Sequence, residues 1–384
     1  MNARVTAQKL KLLVVDLEPA PYKVDLWNAF AASEWFDIQV LYTTERNWAP
    51  DSGHNFQELP RARFPSTVFR GKGASALLSS TIAFLSLLFR WQPDFVFISG
   101  YVGVLQLLSI LACVFFRKKY AVHSDIFNNC PANSRGDYVK QCARNMIRKL
   151  IFRTCTAMLT CGRKGRESAI IAGCAESKIF DFPYVVDSQR LESDEPTHVP
   201  DVCRQDIESG NVIILFSGRI IPRKGLSTLI KAATALSDMS NWVFWIEGDG
   251  PLLANHVSEA RGFGLEDRCR FLGFCQMTFH SWLLRNSDIV VVPSLRDSWG
   301  IVVDEGMQLG KTVVTSDGTG SGADRILNGA NGLVFAAGNH HQLSDLLRML
   351  LVNPEKRDTL GNAARQTAAK FGPKVNVRTF SRLL

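Results

Sequence analysis

Short apolar, β-branched runs recur along the first half of the chain. They are KLLVVDL (11–17), FDIQVLYTT (36–44), FVFISG (95–100), KKYAVHSD (118–125), AMLTCG (157–162) and IFDFPYVVD (179–187). Runs of this length and composition predict strands. Between them lie a helical pattern, YKVDLWNAFAAS (22–33), and two longer apolar stretches, ALLSSTIAFLSLLF (76–89) and YVGVLQLLSILACVFF (101–116). Strands alternating with helices mean a parallel sheet with helices on both faces. Each apolar stretch is shorter than the ~18–20 residues of a spanning helix, so both are expected as buried helices, with a place on a membrane surface as the other reading.

A polar interval with two prolines, residues 188–211, reads as a linker plus a short helix. The alternation then restarts. Strands are expected at 212–218, 242–250, 269–274, 289–294, 311–316 and 332–335, with helices at 225–236 and from about Trp299 or Gly300. The whole is an α/β chain of two Rossmann-like, doubly wound parallel-sheet domains facing across a cleft, residues 1–188 and 189–368. Ligands in such sheets bind beyond the carboxyl ends of strands, which singles out the loops after Gly218, Glu247, Gly273 and Ser294.

Composition leaves this picture intact. With 384 residues, 46% hydrophobic and 21% charged, the chain is long enough for two cores. The nine cysteines are scattered and include no CxxC, which fits a reduced, cytoplasmic setting better than a disulfide scaffold. No secretory signal is read at the start, where LLVV is the only apolar run. Charge does change the picture. Residues 1–190 hold 24 Lys+Arg against 15 Asp+Glu, a surplus of +9, whereas residues 191–384 hold 20 against 21. A basic first half fits either a solvated surface or an anionic partner, such as a membrane surface or a phosphorylated substrate. No zinc-finger spacing, RNP-like strand or long basic tract points to nucleic acid.

Three stretches carry chemistry. In FSGRIIPRKG (216–225), Arg219 and Lys224 flank a loop between a strand end and a helix start. Two cations there can grip a diphosphate; the plainer alternative is a solvated basic loop. In PSLRDSWGIVVDEGMQLG (293–310), Gly300 lets backbone approach a ligand, and amides at 300–302 form a phosphate-binding helix start. Glu305, further along that helix, suits two vicinal hydroxyls such as those of ribose. Asp297, on the loop before it, suits a different polyol or simply stabilises the helix dipole. In VTSDGTGSGADRILNGANGLVF (314–335), Gly318, Gly320 and Gly322 make a loop that is either a ligand contact or a plain turn.

Taken together these segments resemble the retaining glycosyltransferases of family 4, which have the GT-B fold. The resemblance covers residues 212–335 closely and the first half loosely. It rests on FSGRIIPRKG, on GDGP (Gly248 to Pro251), on FLG (Phe271 to Gly273), on PSLRDSWGIVVDEGMQLG and on NGLV (Asn331 to Val334), in the family's order and spacing. It implies that Gly218 contacts the donor, Arg219 and Lys224 bind its diphosphate, Asp297 holds hydroxyls of the transferred sugar, and Glu305 holds the ribose. Gly248 would contact the donor, and the turn after Gly273, with Phe274, would meet the base. The backbone of Ser298, Trp299, Gly300 and Ile301 would touch the diphosphate or sugar. In the first half it implies cleft-facing Ala20, Pro21 and Tyr22, and a polar sugar contact at His123 or Asp125; the local alternative for Asp125 is a turn cap. The tail, residues 369–384, would be a helix returning to the first domain. The sequence departs from the family's pattern at Asp297, where the first acid is usually Glu, at Gly306, where Ala is usual, and in lacking the glycine pair of the first loop.

The function so implied is transfer of a hexose-type sugar from a UDP- or GDP-linked donor to a saccharide acceptor, including one linked to a polyprenyl diphosphate, by an enzyme at the inner membrane face. No cofactor is expected, since the donor is a substrate, and no metal, since no DxD motif occurs and protein cations can meet the leaving phosphate. Two alternatives are a nucleotide-sugar epimerase of the same fold, which would change donor without acceptor, and a sugar-nucleotide-binding protein with a decayed site, which would turn nothing over.

Overall fold

The computed structural model describes residues 8–43, 60–69, 74–127, 135–193 and 195–383. The chain forms two compact units. The first takes in the N-terminal segment up to Arg46, Pro60–Tyr184 and Pro373–Leu384; the second takes in Val185–Gly372.

The first unit has seven strands: β1 Leu10–Asp16, β2 Phe36–Tyr42, β3 Ser66–Val68, β4 Phe95–Ser99, β5 Tyr120–Ser124, β6 Ala157–Thr160 and β7 Ile179–Asp181. Every pairing is parallel, in the order β3-β2-β1-β4-β5-β6-β7. The central strands are apolar throughout because helices cover both faces; β4 is buried along its whole length. The C-terminal helix Pro373–Ser381 belongs to this unit and is pinned by aromatic packing. The Phe380 ring lies 5.2–6.2 Å from the rings of Phe30, Phe36, Phe95, Phe97 and Phe182. Asn376 adds a buried hydrogen bond of 2.7 Å to the Pro183 carbonyl.

The second unit repeats the plan with β8 Val212–Ser217, β9 Trp242–Glu247, β10 Cys269–Gly273, β11 Ile289–Val292, β12 Thr312–Ser316 and β13 Leu333–Phe335. The order is β10-β9-β8-β11-β12-β13, again parallel. In each sheet the strand order reverses once, between β1 and β4 and between β8 and β11. Connections there leave on opposite faces and open a crevice at the carboxyl ends. The two basic and acidic loops singled out above follow β8 and β11.

Four features differ from expectation. β7 ends at Asp181 instead of 187, because Pro183 has no amide to donate to the ladder. The interval 188–211 holds two helices, Ser188–Ser193 and Asp201–Glu208, where one was expected. Arg135–Thr154 is a helix of 20 residues that no strong apolar period announces. The stretches expected as buried helices do form Ala74–Ser86, continued by Leu87–Trp91, and Val104–Phe115, but only one face of each is buried.

Candidate functional site

In the second unit, the loops after β8, β9 and β10 are tied edge to edge. Gly218 N donates to the Glu247 carbonyl (3.1 Å), Ile220 N to Asp249 (2.8 Å) and Gly248 N to Gly273 (2.8 Å). A Cβ on Gly248 would stand 1.9 Å from the Gly218 carbonyl oxygen, so the approach of these two strand ends requires glycine. Phe274, half-buried, follows directly.

The loop after β8 also grips the loop after β11. Leu295 N donates to the Arg223 carbonyl at 2.8 Å. Lys224 Nζ reaches Asp297 Oδ2 at 2.5 Å, and Arg223 Nη1 reaches Asp297 Oδ1 at 3.3 Å. Lys224 and Asp297, expected as diphosphate and sugar contacts, are therefore one ion pair here. Arg223 is a partner that spacing did not single out. Arg219 lies on the same loop, immediately after Gly218.

Asp297 leads into the helix Ile301–Gln308. The backbone turns through Gly300, the N-cap residue, at φ +88. A Cβ there would meet Thr319 Cγ2 at 2.6 Å. Gly300→Ala is therefore expected to lower stability by about 1–3 kcal/mol, read as a fall in melting temperature. The glycine-rich loop after β12 holds this entrance in place. Asp297 N donates to Gly318 O, Gly320 N to Asp297 O, and Ser321 Oγ to the carbonyls of Trp299 and Gly300 (2.7 and 2.8 Å). That loop is thus a support for Ser298–Ile301. The Trp299 side chain points inward: its Nε1 donates to Asp304 at 2.8 Å, and Arg325 both pairs with Asp304 (3.1 Å) and stacks 4.9 Å from the indole. Burial pushes the Asp304 carboxyl up to about 6, against the pull of Arg325.

Glu305 stands on the same helix in a buried triad. Its Oε2 lies 3.2 Å from His280 Nε2, and His280 Nδ1 lies 2.8 Å from Glu247 Oε2. Burial alone would lower the His280 pKa, but Glu247 and Glu305 together raise it to about 10. His280 is therefore an imidazolium donating from both nitrogens. Burial raises and His280 lowers the Glu305 pKa, with a net downward shift.

In the first unit, His123 ends β5 beside Asp125. His123 Nε2 contacts the Phe182 carbonyl at 3.1 Å, and a carbonyl can only accept, so Nε2 carries the proton. Burial lowers its pKa in spite of Asp125 and Asp16, and the ring is neutral. Tyr184 Oη donates to Asp125 at 2.6 Å, and its ring meets Tyr22 edge-on at 4.9 Å. Tyr22, Asp125 and His123 are thus linked through Tyr184, which sequence reasoning missed. Ala20 is the N-cap of the helix Pro21–Ala32, with Pro21 at its first turn. Beneath it Lys23 Nζ pairs with Asp16 at 2.6 Å, and Trp27 Nε1 donates to the same carboxylate at 3.2 Å, all buried. Donor atoms of His123, Asp125 and Cys161 lie within 4.8 Å of one another, a set that could hold a metal ion.

The parallel-sheet pair, with its loops gathered at the carboxyl ends, is the fold of the GT-B glycosyltransferases. HepE from Anabaena, solved with UDP and glucose, is similar over 97% of this chain and 98% of its own, with a TM-score of 0.72 at 17% identity. Residues 204–367, within the second unit, match the family described as glycosyl transferases group 1. Among curated proteins, an alpha-D-kanosaminyltransferase of Streptomyces kanamyceticus is 27% identical over 197 residues, 50% of each chain. A D-inositol 3-phosphate glycosyltransferase of Corynebacterium glutamicum is 32% identical over 167 residues, 41% of this chain and 40% of that protein. The chain spans about half the length, or less, of these curated relatives.

Proposed function

We propose that this protein is a retaining glycosyltransferase of family 4. It moves a hexose-type sugar from a nucleoside-diphosphate donor to a saccharide acceptor, carried on a polyprenyl diphosphate, during glycan assembly at the cytoplasmic membrane face. The observation that carries the reading is the grouping of Lys224 with Asp297 at the reversal of a parallel sheet, beside a helix start entered through Gly300, within a group 1 domain. UDP as the nucleotide draws support from HepE, which binds it.

Lys224 neutralises Asp297. A bound donor brings a diphosphate, which draws Lys224 and Arg219 to its oxygens. Asp297 then turns its carboxylate to sugar hydroxyls. The helix amides at 300–302 face the same phosphate. The C1–O bond breaks toward an oxocarbenium-like centre, and both bonding electrons leave with the phosphate oxygen. The cations and amides meet that charge as it forms. The acceptor hydroxyl attacks C1 from the face the phosphate leaves, and its proton passes to that phosphate, so configuration is retained. Glu305 fixes the ribose. In the first unit, His123 and Asp125 serve as hydroxyl contacts.

Incubation with a panel of nucleotide sugars and acceptors tests this. Release of nucleoside diphosphate, with a product whose anomeric coupling matches the donor's, is the expected result, and it should persist in chelator. An inverted product would remove the retaining assignment. Donor change without acceptor would indicate an epimerase.

A further inference from the structure

Two helices of the first unit are apolar on both sides. The helix Ala74–Ser86 and its continuation Leu87–Trp91 bury Phe84 and Leu88 with Ser80; Val104–Phe115 buries Leu105, Ile110 and Cys113 with Gln106 and Ser109. Their outer faces are apolar too. Leu78, Ile82 and Phe89 are exposed on the first, and Val104, Leu108, Leu111 and Phe115 on the second. Both sets recur at steps of three, four or seven residues, so each is a stripe along one face. The stripes meet where the Phe116 ring lies 4.8 Å from Phe89 and 4.8 Å from Phe115. Exposure is high within them: 62% at Leu78, 52% at Leu111 and 79% at Phe115. A contiguous apolar patch of this kind marks an interaction surface.

The charge around it points to the partner. From residue 74 to 116 the only charged side chains are Arg90 and Asp94, and Asp94 already accepts a hydrogen bond from Lys11 N at 2.8 Å. Arg117, Lys118 and Lys119 follow directly after Phe116, so the aromatic end of the patch is edged with cations. Ala74–Trp91 is long and apolar enough to cross a membrane by length and composition, and only 17% of it is buried. Yet each helix connects two strands of one sheet, β3 to β4 and β4 to β5, so neither can span.

We propose that these two helices form an interfacial docking surface for an anionic lipid bilayer, the outer stripes entering the headgroup–acyl boundary and the Arg90, Arg117–Lys119 edge meeting lipid phosphates. A protein partner would have to offer an acidic rim around an apolar face. A second copy would offer the same basic rim. The inference deepens the membrane-face part of the proposed function and uses nothing of the donor site, so its failure would leave donor turnover standing.

Flotation of the full-length protein with vesicles tests it without any substrate. The protein should float with phosphatidylcholine vesicles containing phosphatidylglycerol, less with phosphatidylcholine alone, and less at raised salt. Leu111→Ser combined with Phe115→Ser should lower partitioning by about tenfold or more, with an unchanged melting temperature, since both side chains already face solvent. Arg117→Gln with Lys119→Gln should lower binding to the anionic vesicles only. Wild-type protein that stays in solution with both vesicle types would overturn the proposal, as would full binding by the Leu111/Phe115 variant. Self-association abolished by that variant, without vesicle binding, would make a second copy the occupant and equally overturn it.

Discussion

Lys224→Met is expected to lower turnover at saturating donor by about 10²–10³-fold, the cost of removing one preorganised charge from a developing anion. Methionine keeps the apolar stem that runs beside Gly218 and deletes only the ammonium group. Asp297 keeps Arg223 at 3.3 Å, so it is not left buried and alone, and the melting temperature should change little. Arg223→Ala provides the contrast. Its side chain is 51% exposed and its contact longer, and exposed pairs contribute about 0–1 kcal/mol, so its effect should stay within a few-fold. Measured nucleoside diphosphate release decides the matter: equal losses in the two variants, or none in Lys224→Met, would separate Lys224 from the leaving group.

That pair shows what the residue order conveys and where it stops. The strands are legible because a parallel sheet covered on both faces needs unbroken apolar runs, and the strand-end loops follow from them. Lys224 and Asp297 stand out individually because each lies on a strand-end loop that leads into a helix start, where an anion or a polyol can be met. Their contact with each other does not, since it depends on β8 and β11 being neighbours in the sheet, across 73 positions. The same holds for Asp16 and Lys23, brought together by a strand-to-helix turn, and for Tyr184, which reaches Asp125 from a neighbouring loop. The outer faces of Ala74–Trp91 and Val104–Phe115 were hidden for the opposite reason. A helix apolar all round has no period that tells which face is covered.

His280 is the least legible of the central residues and the one whose loss should cost stability most. Its segment, MTFHSWLLRN, reads as an ordinary half-buried helix, and nothing in it announces two carboxylates from other strands and helices. His280→Leu would leave Glu247 and Glu305 buried beside each other without the imidazolium between them, with Arg190 acting on Glu305 alone. Breaking a buried pair in this way costs about 3–5 kcal/mol, which should appear as a large fall in melting temperature. Adding Glu247→Gln and Glu305→Gln to His280→Leu should return most of that loss, because a neutral triad carries no unpaired charge; failure to recover would mean that packing is responsible. The pH dependence has a definite sign. The folded His280 pKa is raised from 6.5 to about 10, so its contribution is complete below pH 6.5 and is lost as pH rises through about 10. Over that window wild-type stability should fall by up to ~1.4 kcal/mol per pH unit from this one proton, and the slope should vanish in His280→Gln. Glu305 acts at the other limb: its pKa is lowered from 4.5, so its contribution is present above that value and lost as pH falls. The triad is therefore most stabilising between those limits. There Glu305 is ionised and held at a fixed place on the helix that begins at Gly300, which is what a carboxylate must be to accept two hydroxyl hydrogen bonds at once.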